Sequence, residues 1–249
     1  MNGSEYKAFY DQVGKLNGWN FSQVKAASEG AKWDFFDEVA KRCKKTDFLL
    51  DIGTGGGEAL LAIADAAQLL VGIDQSEGMI HTAAKNLADA KATNVRFVQM
   101  EAEHITFPPN FFDVVSCRHS EFCAHEVAKV LAPSGVFLTQ QVSEADKYNL
   151  TQAFGRGQRS VIRSGTLKEK YLHELAEAGF ADMQSYEYDA AEYFRTYEDL
   201  LFLLKHAPII PNFGQSDQDF AILRDFVEVN QSAKGIRTNS ARFMIVARK

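Results

Sequence analysis

The feature that most constrains this chain is a short apolar run that ends in an acid and continues into spaced glycines. Residues 48–52 predict a buried strand, and Glu58 predicts the first residue of a helix. The loop between them carries Gly53, Gly55 and Gly57. Glycine has no Cβ, so such a loop can adopt positive φ and let a ligand lie against its backbone. The N–H groups of the loop and of the helix start favour polar or anionic groups, which predicts a nucleotide-like ligand.

Two common nucleotide-binding loops do not fit this segment. A dinucleotide fingerprint requires its third glycine where this chain has Glu58, and a Walker loop ends in Gly-Lys-Ser/Thr, which is absent here. Instead, Asp51 lies two residues before the first glycine, where a carboxylate can reach a positively charged amino group. An oxidoreductase that binds NAD on a similar sheet is therefore the least favoured reading.

Further strand patterns follow the glycine loop in order. Residues 69–73 predict a strand that leads into Asp74, whose carboxylate can accept hydrogen bonds from two ribose hydroxyls. The later predicted strands are residues 95–100, 112–117 and 135–142. Helical segments alternate with these strands, which predicts right-handed crossovers and a parallel sheet. Ligands of such sheets bind at the carboxyl ends of the strands, where the acids and glycines of this chain lie.

From about Asp47 to Gln141 the segments resemble the class I S-adenosylmethionine (SAM) methyltransferases. The resemblance implies a three-layer α/β fold with a doubly wound, mostly parallel sheet of seven strands. It implies the Rossmann-like strand order 3-2-1-4-5-7-6, with the last strand antiparallel. SAM is then the expected cofactor and S-adenosylhomocysteine (SAH) its product. The expected cofactor-binding residues are Asp51, Gly53, Thr54, Gly55, Gly57, Asp74, Gln75, Met79, Glu101, Ala102, Ser116 and Arg118.

The resemblance also gives these residues roles. Asp51 is expected to hold the methionine amino group, and Asp74 the ribose hydroxyls. Glu101 and Ala102 are expected to contact the adenine. Backbone atoms of Ser116 and Arg118 are expected near the sulfonium. Gln75 and Met79 are expected to lie beside Asp74.

The whole chain of 249 residues is expected to form one methyltransferase domain with additions at both ends of its core. Residues 1–46 are expected to be a helical cap and residues 47–142 the SAM-binding core. Strands six and seven are expected at residues 183–188 and 241–248. Residues 189–240 are expected to be a helical insertion that covers the substrate, with helices at 196–206 and 217–230.

Catalysis by methyl transfer depends mainly on alignment, so no strong acid is required. His119, which follows the fourth strand, is the natural general base, although a single histidine at a strand end is more often structural. Glu121 is a candidate for orienting an amine, or simply an acid in the first turn of a helix. The spacing of Cys117, His119, Cys123 and His125 suits zinc in ligand type, but a strand-to-helix junction makes convergence difficult, and no metal is expected.

The acceptor is expected to be a small molecule, with nitrogen and oxygen both open as the reacting atom. Candidate substrate-binding residues are Tyr10, Trp19, Tyr193 and Phe213. A basic connector with Arg156, Arg159 and Arg163 keeps a ribosomal-RNA type of methyltransferase as an alternative, although the net charge of −6 argues against general nucleic-acid binding. A non-catalytic SAM-binding protein is the second alternative.

Composition favours a cytoplasmic protein without a membrane span. No window approaches the about 20 consecutive apolar residues that a spanning helix needs, and the first residues lack the pattern of a signal peptide. The three cysteines are too few and too unevenly spaced for a disulfide framework. The sequence leaves the oligomeric state open.

Overall fold

The computed structural model describes residues 24–157 and 163–249. Its strands form one mixed sheet. They are β1 (Ala26–Glu29), β2 (Phe48–Ile52), β3 (Leu69–Asp74), β4 (Val95–Gln99), β5 (Phe112–Arg118), β6 (Leu131–Val142), β7 (Asp182–Phe194), β8 (Gln231–Ser232) and β9 (Gly235–Arg248). The helices are α1 (Phe35–Ala40), α2 (Glu58–Ala62), α3 (Glu77–Ala90), α4 (Ala124–Val130), α5 (Tyr148–Phe154), α6 (Thr166–Glu177), α7 (Tyr197–His206) and α8 (Asp217–Asn230), with a 3-10 turn at Ala64–Ala66.

The strand order confirms the expected doubly wound topology. Along the sheet the order is β1-β7-β9-β6-β5-β2-β3-β4, and β8 pairs separately with β9. Strands β2 to β6 are mutually parallel, whereas β9 runs antiparallel to both β6 and β7. The seven predicted strands therefore occur in the predicted order, with the last one antiparallel. The short strands β1 and β8 were not predicted, and with them the described residues form a sheet of nine strands.

The described part of the N-terminal segment differs from the helical cap that the sequence suggested. Between residues 24 and 46 the structure has one strand, β1, and one short helix, α1. β1 pairs with the outer half of β7, from Ala26 opposite Phe194 to Glu29 opposite Ala191. Its exposed side chains give no periodic signal, so tertiary pairing determines its conformation. Residues 1–23 lie outside the described residues, and for them the helical cap stays a prediction.

Helices cover both faces of the sheet because successive strand residues point to opposite sides. Leu49 lies in the cluster beneath α1 and α2, whereas its neighbour Leu50 lies in the cluster beneath α4 and α6. Asp34 caps α1, since its side chain accepts hydrogen bonds from the N–H groups of Phe36 and Asp37. The result is a three-layer α/β unit with a buried central sheet.

The strands β7 and β9 continue well beyond the sheet core as an antiparallel ladder. Pairing runs from Asp182 opposite Arg248 to Phe194 opposite Ile236, so both strands are longer than the sequence predicted. The predicted insertion 189–240 therefore begins and ends with strand residues. Between them lie residues 195–234, which contain α7, α8 and the short strand β8 and are named here the helical insertion. Its helices α7 and α8 agree with their predicted positions to within one residue.

The helical insertion has an apolar cluster of its own. This cluster joins residues of α5, α7 and α8 to the outer ends of β7 and β9, and it comprises Leu150, Phe154, Phe194, Leu200, Leu204, Ile210, Leu223, Phe226 and Ile236. None of the helices in the described ranges has the length and apolarity that a membrane crossing requires.

Candidate functional site

The candidate site lies at the carboxyl edge of the parallel strands, where the strand order reverses. β2 pairs with β3 on one side and with β5 on the other, and Asp51 is in register with both Gly72 and Ser116. After β2 the chain continues into β3 and β4 on one side of β2, whereas β5 lies on the opposite side. The loops that leave β2 and β5 therefore separate at this point and leave room for a ligand.

The glycine loop adopts the conformation that its sequence predicts. Gly53, Gly55 and Gly57 have φ values of 71°, 58° and 76°, which side-chain-bearing residues rarely adopt. The N–H groups of Gly53 and Thr54 both donate to the carbonyl of Ile73, at 2.9 and 3.0 Å. These bonds attach the loop to the neighbouring strand β3 and fix its height above the sheet.

Gly57 is also required by packing. A Cβ added at this position would lie 2.2 Å from Cζ of Phe97, whose ring fills the space below the loop. Such a distance is far inside van der Waals contact, so either the ring or the loop would have to move. The loop conformation is thus determined by β4 as well as by β3.

Asp51 is buried beneath the glycine loop, with 2% of its surface exposed. The Ser116 hydroxyl donates to Asp51 Oδ1 at 2.7 Å. Burial raises the pKa of Asp51 to about 6, and the bond from Ser116 and the positive charge of Arg118 oppose that shift. A buried carboxylate with one hydroxyl donor favours a positively charged ligand group. The buried Thr54 hydroxyl next to it makes no hydrogen bond within the described residues.

Asp74 is held in a fixed orientation at the end of β3. The Gly55 N–H donates to Oδ2 at 3.0 Å, and the Ser76 N–H donates to Oδ1 at 2.9 Å. Ser76 in turn caps α3 by accepting from the Met79 N–H at 3.3 Å. Carboxylate oxygens accept more than one bond each, so this geometry suits a pair of hydroxyls.

A cleft of about 360 Å³ lies beside Asp74, between the ends of β3 and β4. It is lined by Gln75, Gln99, Met100, Glu101, His104 and Thr106. Two of the predicted cofactor-binding residues, Gln75 and Glu101, thus line one depression. This edge of the sheet therefore has features that suit a ligand with an amino group, a ribose and a base. They are the glycine loop, the buried carboxylate of Asp51, the oriented carboxylate of Asp74 and the cleft.

The loop after β5 takes part in a chain of side-chain hydrogen bonds that the sequence did not predict, named here the relay. The Trp33 indole N–H donates to Gln140 Oε1 at 2.7 Å, and Gln140 Nε2 lies 3.0 Å from His119 Nε2. An indole nitrogen can only donate, so it sets the orientation of the Gln140 amide, which then donates to His119. His119 itself has φ 57°, and its N–H donates to the Gln140 carbonyl at 2.9 Å. His119 Nε2 can accept a substrate proton only after the bond from Gln140 breaks.

The other residues of this loop have different surroundings. Ser120 covers Gly53, because a Cβ on Gly53 would lie 2.3 Å from Cβ of Ser120. Glu121 is exposed. Cys117 is buried in the core, where burial raises its pKa, and its thiol donates to the Ser120 carbonyl at 3.2 Å. Within residues 24–157 and 163–249 no group of three or more His, Cys, Asp or Glu side chains could hold a metal ion.

Neither of the two predicted substrate-binding aromatics that the structure describes, Tyr193 and Phe213, lines the cleft beside Asp74. Tyr10 and Trp19 lie outside the described residues. Phe213 packs between Phe154 and Phe220 inside the helical insertion, at ring distances of 5.8 and 5.7 Å. Tyr193 lies beneath the Lys234 ammonium. Their contact with a substrate therefore stays a prediction.

Sequence reasoning missed the residues that surround the relay. The Trp33 ring packs edge-on against Tyr188 at 4.6 Å, and Gln140 is buried between Trp33 and His119. The one available signal was the polar run Thr139–Gln141 at the end of a predicted buried strand. Buried polar side chains require partners, so such a run indicates a network.

Comparisons with known proteins match the central part of this chain to methyltransferases. Residues 49–135 match the family model of a methyltransferase domain. The uncharacterized methyltransferase YcgJ of Bacillus subtilis is 31% identical over 125 residues, which cover 47% of this chain and 49% of YcgJ. The ubiquinone/menaquinone biosynthesis C-methyltransferase UbiE of Stutzerimonas stutzeri is 34% identical over 105 residues, 39% of this chain and 37% of UbiE. The matched segment thus spans less than half the length of either relative.

Solved structures show the same fold over more of the chain. The crystal structure of YcgJ aligns with a TM-score of 0.59 and 22% identity, covering 86% of this chain and 98% of YcgJ. At this identity the alignment establishes the architecture alone.

Proposed function

Because residues 49–135 belong to the class I SAM-dependent methyltransferase family, we propose that the chain moves a methyl group from SAM to a nitrogen or oxygen atom of a small molecule. The observation that carries this proposal is the buried Asp51 carboxylate beneath a glycine loop whose three glycines have positive φ. Asp51 makes no ion pair with a described residue, and the Arg118 charge acts on it only from a longer distance. Burying a carboxylate without a close positive group is costly, so a cationic ligand group complements it. When bound, SAM supplies an activated methyl group on a positive sulfonium.

Each cofactor contact has a residue of this chain to provide it. Asp51 holds the amino group of the methionine part, and Gly53 and Gly55 let the ligand approach the backbone. Asp74, oriented by two backbone N–H groups, accepts the ribose hydroxyls. Gln75 and Glu101 border the cleft beside it, where the adenine is accommodated.

The remaining predicted contacts complete the same proposal. Met79 and Ala102 flank the ribose and adenine positions, and Thr54 and Gly57 belong to the loop itself. The backbone at Ser116 and Arg118 lies at the end of β5, on the side of the sulfonium.

The acceptor's chemistry determines whether a base is needed. The transfer is an in-line displacement, so the protein's task is alignment and exclusion of water. A neutral amine requires little help, and Glu121 would orient it. A hydroxyl requires a proton acceptor, which His119 provides once Gln140 releases Nε2. The relative UbiE is named a C-methyltransferase, so an acidic carbon is a third acceptor atom to test.

Two contacts of the basic connector favour a small acceptor over RNA, while its third arginine, Arg159, lies outside the described residues. Arg156 is paired with the buried carboxylate of Asp219 at 2.7 Å, and Arg163 with Glu169 at 2.6 Å. Arginines engaged in this way are less available to phosphates. A ribosomal-RNA substrate would require a salt-sensitive affinity for RNA, and a non-catalytic SAM-binding protein would bind SAM without turnover on any acceptor.

Calorimetric titration with SAM, SAH and NAD tests the cofactor. We expect binding of SAM and SAH and none of NAD. Asp74→Ala should weaken SAH binding by about tenfold or more, since it removes a charged acceptor of two hydrogen bonds. Asp65→Ala removes the same charge from the exposed turn Ala64–Ala66 and should leave SAH binding unchanged. Unaltered SAH affinity in Asp74→Ala would overturn the ribose assignment, and absence of SAH binding by folded protein would overturn the proposed function.

A further inference from the structure

Arg118 ends β5 at the carboxyl edge, and its guanidinium is the feature from which this inference starts. The guanidinium carbon lies 4.8 Å from the centre of the Phe36 ring. Within the described part of the chain the side chain makes no hydrogen bond and no ion pair, and the carboxylates of Asp51 and Asp34 attract its charge only from beyond ion-pair distance. A guanidinium carries five N–H donors in one plane, and stacking on an aromatic face leaves these in-plane donors available. The side chain is also partly buried, so its charge is poorly compensated by water.

Other arginines near the sheet are differently placed. Arg242 bonds to the Asp146 carboxylate at 2.6 Å and to the Ala241 carbonyl at 2.9 Å. Arg156 bonds to Asp219 and to the Pro211 carbonyl. Partly buried charges are normally paired in this way, because an unpaired one is costly. Arg118 is thus an unsatisfied donor group at the edge where the acceptor must lie.

Strand register shows which side chains share its face. Arg118 is opposite Gln140, Gln140 is opposite Met244, and Met244 is opposite Tyr186, so these four form one row across β5, β6, β9 and β7. In the next row toward the carboxyl edge, Arg242 is opposite Tyr188.

Trp33 covers this face. It bonds to Gln140, packs on Tyr188 at 4.6 Å and approaches Tyr186 at 6.4 Å. Tyr186 is nevertheless 39% exposed, so the aromatic group is open on one side. The hydroxyl of Tyr188 makes no hydrogen bond to any described residue. The aromatic rings of Trp33 and Tyr188 therefore lie on the same face of the sheet as Arg118, whose guanidinium makes no ion pair with a described residue.

We propose that Arg118 binds the carboxylate or phosphate of an acidic acceptor whose planar, apolar body lies against Trp33 and Tyr188. This inference rests on the proposed function and deepens it by naming the substrate class. The methionine carboxylate of the cofactor has the same chemistry, and the experiment below separates the two sources. Arg118 then determines specificity, because an uncharged analogue leaves its guanidinium unpaired.

The test uses the SAH-saturated protein with fluorobenzoate and fluorobenzamide as probes, followed by fluorine NMR titration. The two probes match in size and differ in charge. We expect fluorobenzoate to bind about tenfold more tightly, as for a charge-assisted bond. Arg118→Gln should abolish this preference, and Arg118→Lys should keep part of it. Arg248→Gln makes the same charge change on the exposed end of β9, opposite Val136 at the amino end of the sheet, and should keep the preference intact.

The cofactor source is checked with methylthioadenosine, which lacks the methionine carboxylate. If Arg118→Gln weakens SAH but not methylthioadenosine, the guanidinium serves the cofactor and the proposal is overturned. It is also overturned if the two fluorinated probes bind wild type equally or not at all. The same probe comparison without SAH keeps the anion site testable should SAH fail to bind, which would count against the proposed function alone. Thermal unfolding of each variant confirms that it is folded.

Discussion

At the scale of single residues, the pKa of Asp51 shows most directly how burial affects the stability of the protein. Burial raises its pKa from 3.8 to about 6, so the folded chain holds this proton more tightly than the unfolded chain does. The protonated carboxyl therefore contributes stability that is complete below about pH 3.8 and is lost as the pH rises through about 6. At neutral pH the unliganded protein carries an ionised, buried carboxylate. A cationic ligand group removes that cost, which couples binding to stability.

Asp51→Asn should therefore stabilise the unliganded protein at pH 7, by up to about 3 kcal/mol, because the buried charge is gone. The variant should also lose SAH affinity and show a flatter pH dependence of stability between about pH 4 and pH 6. Urea unfolding at pH 5 and pH 7, with and without SAH, measures all three effects. A variant less stable than wild type at pH 7 would contradict the pKa assignment. The exposed Asp65→Asn is the matched control.

Gly57 provides a second prediction, about packing. Gly57→Ala should destabilise the protein by roughly 2–5 kcal/mol, since it combines positive φ with a clash against Phe97. Gly179→Ala isolates the φ cost, because Gly179 has φ 95° and open space around its Cβ position. It should cost only about 1–2 kcal/mol. Urea unfolding compares the two variants, and Phe97→Leu should recover part of the loss in Gly57→Ala but none in Gly179→Ala. Equal losses in the two alanine variants would argue against the clash.

Sequence alone predicted the glycine loop, the two acids Asp51 and Asp74, and their common edge, because these depend on local spacing. It did not predict the bond between Gln140 and His119. That bond needs the register of β5 against β6 and a tryptophan from the segment before α1, which are far apart along the chain. Long-range register is not encoded in any short motif.

At the scale of elements, the most buried strands were the easiest to predict. β2, β3 and β5 are almost fully buried and appear as apolar runs. β1 is exposed throughout and was not predicted, and β7 was predicted only over residues 183–188, in its largely exposed first half. The helical insertion was predictable because α7 and α8 have amphipathic periodicity and caps, Thr196 with Asp199 for α7 and Ser216 for α8.

The separate cluster of the helical insertion predicts that it opens independently. Leu223→Ala removes a fully buried side chain from this cluster and should cost about 2–5 kcal/mol locally. Amide hydrogen exchange should accelerate across residues 197–230 while β2, β3 and β5 keep their protection. SAH affinity should be retained. Leu175→Ala, in the cluster beneath α4 and α6, should instead accelerate exchange in the sheet. Uniform acceleration in Leu223→Ala would show that the insertion and sheet unfold together.

For the molecule as a whole, topology explains why the site occupies one place. The order β4-β3-β2-β5-β6 reverses at β2, and the glycine loop, Asp51 and Arg118 meet there. This part followed from the sequence because alternating strands and helices permit few arrangements. The placement of the predicted pocket aromatics did not follow, since Phe213 serves the cluster of the helical insertion. A net charge of −6 gives the molecule no general attraction to polyanions, and a local cation such as Arg118 is then selective.

The ladder between β7 and β9 has a consequence for redesign. It places Phe194 beside Ile236, so the two ends of the intervening segment leave the sheet about 5 Å apart. Adjacent ends of this kind are natural splice points, and another loop or small domain can be grafted between them without changing the span. The loop on β2 offers no such freedom, because the amides of Gly53 and Thr54 donate to Ile73 and Gly57 packs against Phe97. The scaffold thus combines a segment that can be exchanged with a loop whose conformation is fixed by the neighbouring strands.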